Sequence, residues 1–265
     1  MENINPLMVT LRARIPGETF RLPSQGVFYV NGELDESVLN GEVHVYPMTA
    51  IDEVIMKTPD KLFSGEAVRD VFSRCVPQVR QSNKLLSKDI DYLLVCMRLL
   101  SYGDSMELVY KHTCSEAKEQ TYKVALRPLI VSARAIDPTT IGTTFTITMA
   151  SGQIVKMKPP VFENVISLYH ATSMANYDGD DDLILLQERM IRVIVGMIIS
   201  VDDVTDSDMI AEWVSNIPTG WTSELGARAT AVSHWGIDTA VKQVCADCGE
   251  EIEMEVPINP ISFFI

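Results

Sequence analysis

Two periodicities divide this chain. Between Ser64 and Gly103 apolar residues return every three or four positions, which gathers them on one face of a helix. Val68, Val71, Phe72 and Cys75 mark one such face, with Ser64 as the expected cap. Ile90, Leu93, Leu94, Met97 and Leu100 mark a second, opened by Ser87 and stopped by Gly103. Cys75 and Cys96 fall inside these helices, where packing accounts for them. An earlier helix is predicted from Ala50, capped by Thr49. Asp52 and Glu53 lie in its first turn, where the helix dipole favours acids, and Pro59 ends or kinks it.

Elsewhere the period shortens to two. Leu7 to Ile15 alternates as a strand does, Gly17 to Gly26 reads as turns around another, and Val27 to Val30 and Glu42 to Tyr46 add short strands. Thr144 to Met149 and Ile154 to Lys158 flank the turn residues Ala150 to Gln153 and predict a hairpin. Helices are expected to dominate from about Val161 to Val232. The most apolar stretch, Leu183 to Ile199, is interrupted by Gln187, Glu188, Arg189 and Arg192, so it is too short to cross a bilayer and reads as a buried helix.

The rarest pattern is Cys245-x-x-Cys248 followed by Gly249. A tight turn of this kind presents two sulfurs to one point and is half of a tetrahedral zinc site. An eroded echo precedes it, His112-x-Cys114, whose two side chains share a face if the backbone is extended. Cys114 is followed by the alternating segment Glu119 to Pro128, and Cys248 by Glu251 to Pro260. We read one β-knuckle unit used twice, with His112, Cys114, Cys245 and Cys248 converging on a structural zinc. The competing reading is a turn carrying free, reduced thiols, supported by Ala117 where a second thiol of the first knuckle would stand. His234 is a rival fourth ligand. A redox role would need a helix N-terminus after the first thiol, and the sequence there is strand-like.

The whole is an α+β chain in which small β units and two zinc-ribbon-like β-knuckles bracket a largely helical insert. The expected segments are an N-terminal β unit (1–48), a helical segment (49–105), the first knuckle with its hairpin (106–160), the helical insert (161–240), and the second knuckle with a C-terminal strand (241–265). The last residues, Phe263, Phe264 and Ile265, are too apolar to stay solvated, so they are either tucked into the core or pressed against a partner.

Composition narrows the function. With 265 residues, 46% hydrophobic and 22% charged, the chain can bury one large core or two modest ones. A formal charge of −14 argues against nucleic acid or an anionic membrane as partner. Five scattered cysteines fit a reducing compartment, and the start of the chain lacks the pattern of a signal peptide, so synthesis in a cytoplasm is expected. The acidic run Asp178 to Asp182 resembles a calcium loop, but Leu183 and Arg189 stand where glycine and a bidentate glutamate are required; acids at the start of a helix explain it better. The glycines between Gly17 and Gly26 lack phosphate-loop spacing. No serine has a nucleophile-elbow context, and the four histidines give no triad order. No small-molecule substrate and no catalytic residue are inferred.

The segments Gly17 to Tyr29 and Val45 to Ser64 resemble the opening of baseplate hub and hub-assembly proteins of T4-like contractile-tailed bacteriophages. The later order of helices, knuckle, helices and knuckle is also similar to that family. Its relatives carry a fuller C-x-x-C in the first knuckle, where this chain has His112 and Cys114. The resemblance implies a non-enzymatic structural or assembly component of the virion tail baseplate, made in the bacterial host cytoplasm, with other baseplate or tail proteins as partners. A transient hub assembly chaperone is the alternative within that class, and a zinc-dependent enzyme the alternative outside it.

Overall fold

The computed structural model describes residues 16–112, 114, 119–166, 180–231, 234–258 and 263. The strand expected from Leu7 to Ile15 lies outside them. β1 (Glu18–Arg21) and β2 (Glu42–Val45) pair antiparallel, with Glu18 opposite Val45. Beyond the strand ends Leu22 donates its N–H to the Gly41 carbonyl at 2.9 Å. Gly41 has φ +73°, and a Cβ there would meet the Gln25 backbone at 2.7 Å, so only glycine fits. The short strand expected at Val27 to Val30 is instead a pair of turns, Val27 N–H to Ser24 O and Tyr29 N–H to Gly26 O. A tertiary contact decides this. The turns carry the Tyr29 hydroxyl to Asp89, to which it donates at 2.6 Å while accepting the Leu86 N–H at 2.8 Å.

α1 (Ala50–Met56) starts after Thr49 as expected, and Asp52 does more than complement the dipole. Its carboxylate, 1% exposed, accepts the Thr49 N–H at 2.9 Å, the Thr49 hydroxyl at 2.6 Å and Arg74 Nε at 2.5 Å. One side chain therefore closes the helix start and ties it to the next long helix. Pro59 opens α2 (Pro59–Phe63), a position where its missing N–H costs nothing. α3 (Glu66–Cys75) is preceded by Gly65 at φ +75°, so Gly65 holds the cap position expected of Ser64; the Ser64 hydroxyl accepts the Glu66 N–H at 3.4 Å. α4 (Ser87–Tyr102) ends at Gly103. Ile90, Leu93, Leu94, Cys96 and Met97 on α4, and Val68, Val71, Phe72 and Cys75 on α3, are buried at the centre of the main core.

α4 also buries acids. Asp89 is fully buried, accepts from Ser24 N–H and Tyr29, and has its carboxyl pushed up to about 6 by burial. Asp91, partly buried, is pushed up to about 7, first by burial, then by Asp89, with Lys88 pulling the other way. A carboxyl whose folded pKa exceeds its unfolded value binds protons more tightly in the fold, so stability falls as pH rises from about 4 to about 7. Asp91→Asn should therefore raise stability at pH 8 by about 2 kcal/mol and leave it nearly unchanged at pH 4. Urea unfolding of both proteins at the two pH values checks this; an equal effect at both would refute it.

β3 (Ser105–Lys111) and β4 (Glu119–Ala125) form an antiparallel hairpin whose base joins the main core through Met106 and Val124. α5 (Leu126–Val131) and the short α6 (Ile141–Thr144) come next along the chain. The expected hairpin then appears as β5 (Thr146–Thr148) and β6 (Ile154–Met157), and gains a third strand, β7 (Ile198–Val201), paired antiparallel to β6. β7 is the tail of the long apolar run. The part before it is α7 (Asp180–Met197), with Gln187, Glu188, Met190 and Arg192 exposed, so from Gln187 on this helix is half-buried rather than buried, and the last apolar residues of the run are strand. The sequence reads as one helix because a continuous apolar run does not distinguish helix from strand. α8 (Ser207–Asn216), capped by Asp206, and α9 (Thr219–Ala231) pack on this sheet around a second core of Phe145, Ile147, Val155, Met197, Val214 and Leu225.

β8 (Ala240–Val244) and β9 (Glu251–Glu255) make the last hairpin. After it Val256, Ile258 and Phe263 return to the main core. Mixed helices and small sheets make the chain α+β. Among the described residues no helix is long and apolar enough to cross a membrane.

Candidate metal centre

The two knuckle hairpins stand side by side with their turns at the same end. In the first, Lys111 opposite Glu119 is the last pair before the turn; in the second it is Val244 opposite Glu251. The second turn is tight because Cys245 donates its N–H to the Glu250 carbonyl and its own carbonyl accepts the Gly249 N–H, both at 2.9 Å. Gly249 sits at φ +75°, a conformation that strains any residue with a Cβ, which is why the glycine comes directly after the second thiol.

His112, Cys114, Cys245 and Cys248 meet there. One ligand atom from each lies within 4.8 Å of all the others. His112 Nδ1 and Cys248 Sγ are 3.5 Å apart. Tetrahedral zinc with bonds of about 2.3 Å to sulfur and 2.0–2.1 Å to nitrogen would set such edges at roughly 3.5–3.8 Å, so a small contraction would seat the ion. The four cysteine and histidine side chains grade from Cys245, 1% exposed, to the exposed Cys248, and no disulfide joins the thiols.

The turn also supplies electrostatics. The Cys248 N–H, then that of Asp247, point at the Cys245 sulfur, and with His112 and the Cys248 thiol they hold it down at about 6 against the burial that raises it. At Cys248 the Glu250 N–H lowers the thiol, but desolvation and the neighbouring Cys245 outweigh it and push it up. A site that favours thiolate at one sulfur and opposes it at its neighbour is one that a dication would relieve.

Around the ligands lies a small separate core of Tyr122, Cys245, Ile252 and Met254, with Leu108, Tyr110, Cys114 and Val241 against it. Gln120 bridges the hairpins. Its Oε1 accepts the Tyr122 hydroxyl at 2.6 Å and the Ala246 N–H of the opposite turn at 3.3 Å. Sequence reading missed Gln120, although its place two residues before Tyr122 on one strand face carried the signal.

The other expected residues fall elsewhere. His234, the rival ligand, lines a separate pocket of about 180 Å³ with Lys88, Arg134 and Trp235. Asp180 to Asp182 begin α7, while Asp178 and Gly179, the start of the acidic run, lie outside the described residues, as does Ala117. Phe263 is buried at 2% exposure in the chain's own core, under the Arg98 guanidinium at 5.2 Å from its ring centroid; Phe264 and Ile265 lie outside the described residues.

Three thiols and an imidazole clamped between two hairpins are a ligand set that would fill all four positions of a tetrahedral zinc ion. The chain matches the family described as T4 bacteriophage base plate protein over residues 37–265 and belongs to it. It is a structural protein of the bacteriophage base plate class. No curated protein and no solved structure matches the chain.

Proposed function

We propose that this protein is a component of the baseplate hub that acts through protein contacts alone, and that His112, Cys114, Cys245 and Cys248 hold a structural zinc. The base plate family match over residues 37–265 carries the assignment to the tail. The resemblance of Gly17 to Tyr29 and Val45 to Ser64 to hub proteins supports the hub within it. A non-enzymatic role is supported by the closed ligand set and by the lack of any triad or phosphate-loop pattern in the sequence.

The partners in this reading are other tail proteins, met in the bacterial cytoplasm where the chain is made. An acidic chain of net charge −14 suits basic protein surfaces and repels nucleic acid and anionic lipid. Phe264 and Ile265 are offered as contact residues, next to Phe263 in the core. Affinity purification of the tagged full-length chain from infected cells, followed by mass spectrometry, should recover hub or wedge subunits at stoichiometric levels. Mass spectrometry of purified virions should find the chain itself. Its presence among the partners in the lysate but absence from virions would assign it as an assembly chaperone, and recovery of the chain alone from the lysate together with its absence from virions would defeat the hub reading.

A further inference from the structure

Among the described residues the two knuckle hairpins share no strand pairing, β3 bonding to β4 and β8 to β9 as two separate two-stranded sheets. A two-stranded hairpin is marginal on its own in water, so something else must hold the β8–β9 hairpin in place. Among the described residues, what lies between the two hairpins is one small cluster of four buried residues, the Gln120 bridge to Ala246 and the four metal-type ligands, two from each hairpin. The ligands sit at the turns, the ends farthest from the main core, since Met106 and Val124 lie at the opposite end of the first hairpin.

The segment after the second hairpin makes this arrangement consequential. Val256 donates its N–H to the Thr239 carbonyl at 2.9 Å, closing the base of the hairpin, and Val256, Ile258 and Phe263 then fill the main core. Phe263 caps the end of α4. The Arg98 guanidinium lies 5.2 Å from the Phe263 ring and 5.4 Å from the Tyr102 ring, and it donates to the Phe263 carbonyl. The Arg98 Nε is buried without a hydrogen-bond partner among the described residues. A buried guanidinium nitrogen left unsatisfied is a cost that the rest of the contact must offset, so this seat depends on the segment being delivered to it.

Building on the structural zinc proposed above, we infer that the metal is a latch for the C-terminal segment: it fastens the β8–β9 hairpin to the β3–β4 hairpin, and thereby holds Val256, Ile258 and Phe263 in the main core, with Phe263 against Arg98 of α4. In the metal-free chain the β8–β9 hairpin opens and this segment leaves the core, while α3 and α4 stay packed through their own apolar faces. Local opening of this kind results from the few contacts that hold the hairpin compared with the helices beneath it. The latched and unlatched forms differ in whether the main core is covered at Arg98 by Phe263.

The test uses the full-length chain. Zinc is first counted by elemental analysis, then removed with EDTA and restored with zinc chloride, and amide hydrogen exchange is measured by mass spectrometry in all three states. The expected result is one zinc per chain, exchange within residues 240–258 at least about tenfold faster after EDTA, recovery on zinc addition, and a clearly smaller increase within residues 90–97. One bound zinc with unchanged exchange at 240–258 would overturn the latch and leave the zinc site standing. Equal loosening of 90–97 would also overturn it, because the metal would then sustain the whole fold. A chain that binds no zinc would end both proposals. The variant Cys114→Ser, which keeps the entire second turn, should reproduce the EDTA state in the presence of zinc; full protection of 240–258 in that variant would refute the latch.

Discussion

Cys245→Ser is expected to lose stoichiometric zinc and to lower stability by about 4 kcal/mol when the wild-type protein is held in a thousandfold excess of zinc over its dissociation constant. The reason is mass action, since a ligand that binds only the folded chain adds its binding free energy to the fold. Cys245 is the most sensitive of the four ligands. It is 1% exposed, its sulfur receives the Cys248 and Asp247 N–H groups, and its own backbone closes the turn. For a chain of this length the loss corresponds to a melting temperature lower by about 8–16 °C. EDTA should lower the wild type to the same value and add nothing to the variant, whereas Cys96→Ser, in the main core, should leave zinc at one per chain. Elemental analysis and calorimetry read both effects; a Cys245→Ser protein that retained one zinc would refute the site.

Phe263→Ala should destabilise the fold by about 3–5 kcal/mol, the cost of removing a phenylalanine from a closed core. The residue is 2% exposed, and its ring faces the Arg98 guanidinium, so truncation opens a cavity and removes one of the two rings that flank that cation. The corresponding drop in melting temperature is about 6–20 °C. Phe263→Leu, which restores most of the volume, should recover more than half of it. An alanine variant that melts with the wild type would show that the ring does not contribute to the core.

These two residues mark the reach of sequence reading here. Cys245 is visible because C-x-x-C before a glycine is a turn whose chemistry is set by a few neighbouring residues, and its tight N–H to carbonyl bonds are formed within the turn itself. The helices at Ala50, Glu66 and Ser87 are visible for the same reason: caps, prolines and the 3.6-residue period are local. Phe263 is only half visible. Its apolarity requires burial, but whether the chain's own core or a partner covers it depends on where α4 ends in space.

The misses have the same origin. The β-branched and aromatic residues of Val27 to Val30 predict a strand, and the bond from Tyr29 to the buried Asp89 bends the segment into turns instead. Ile198 and Ile199 read as the end of a helix, and Ile198 to Val201 becomes a strand because β6 offers it an unpaired edge. Neither partner is near in sequence, so neither could appear in a local pattern.

The sequence by itself determined the element types wherever caps and period agree, the turn at Cys245 and Cys248, and the acidic surface. Tertiary structure alone decided which edge captured β7, which side chain satisfied Asp52 and Asp89, where Phe263 came to rest, and that His112 and Cys114 face the second turn across more than a hundred intervening residues. Local chemistry acts over one or two turns of chain, whereas burial and pairing act between whatever surfaces the folded chain brings together.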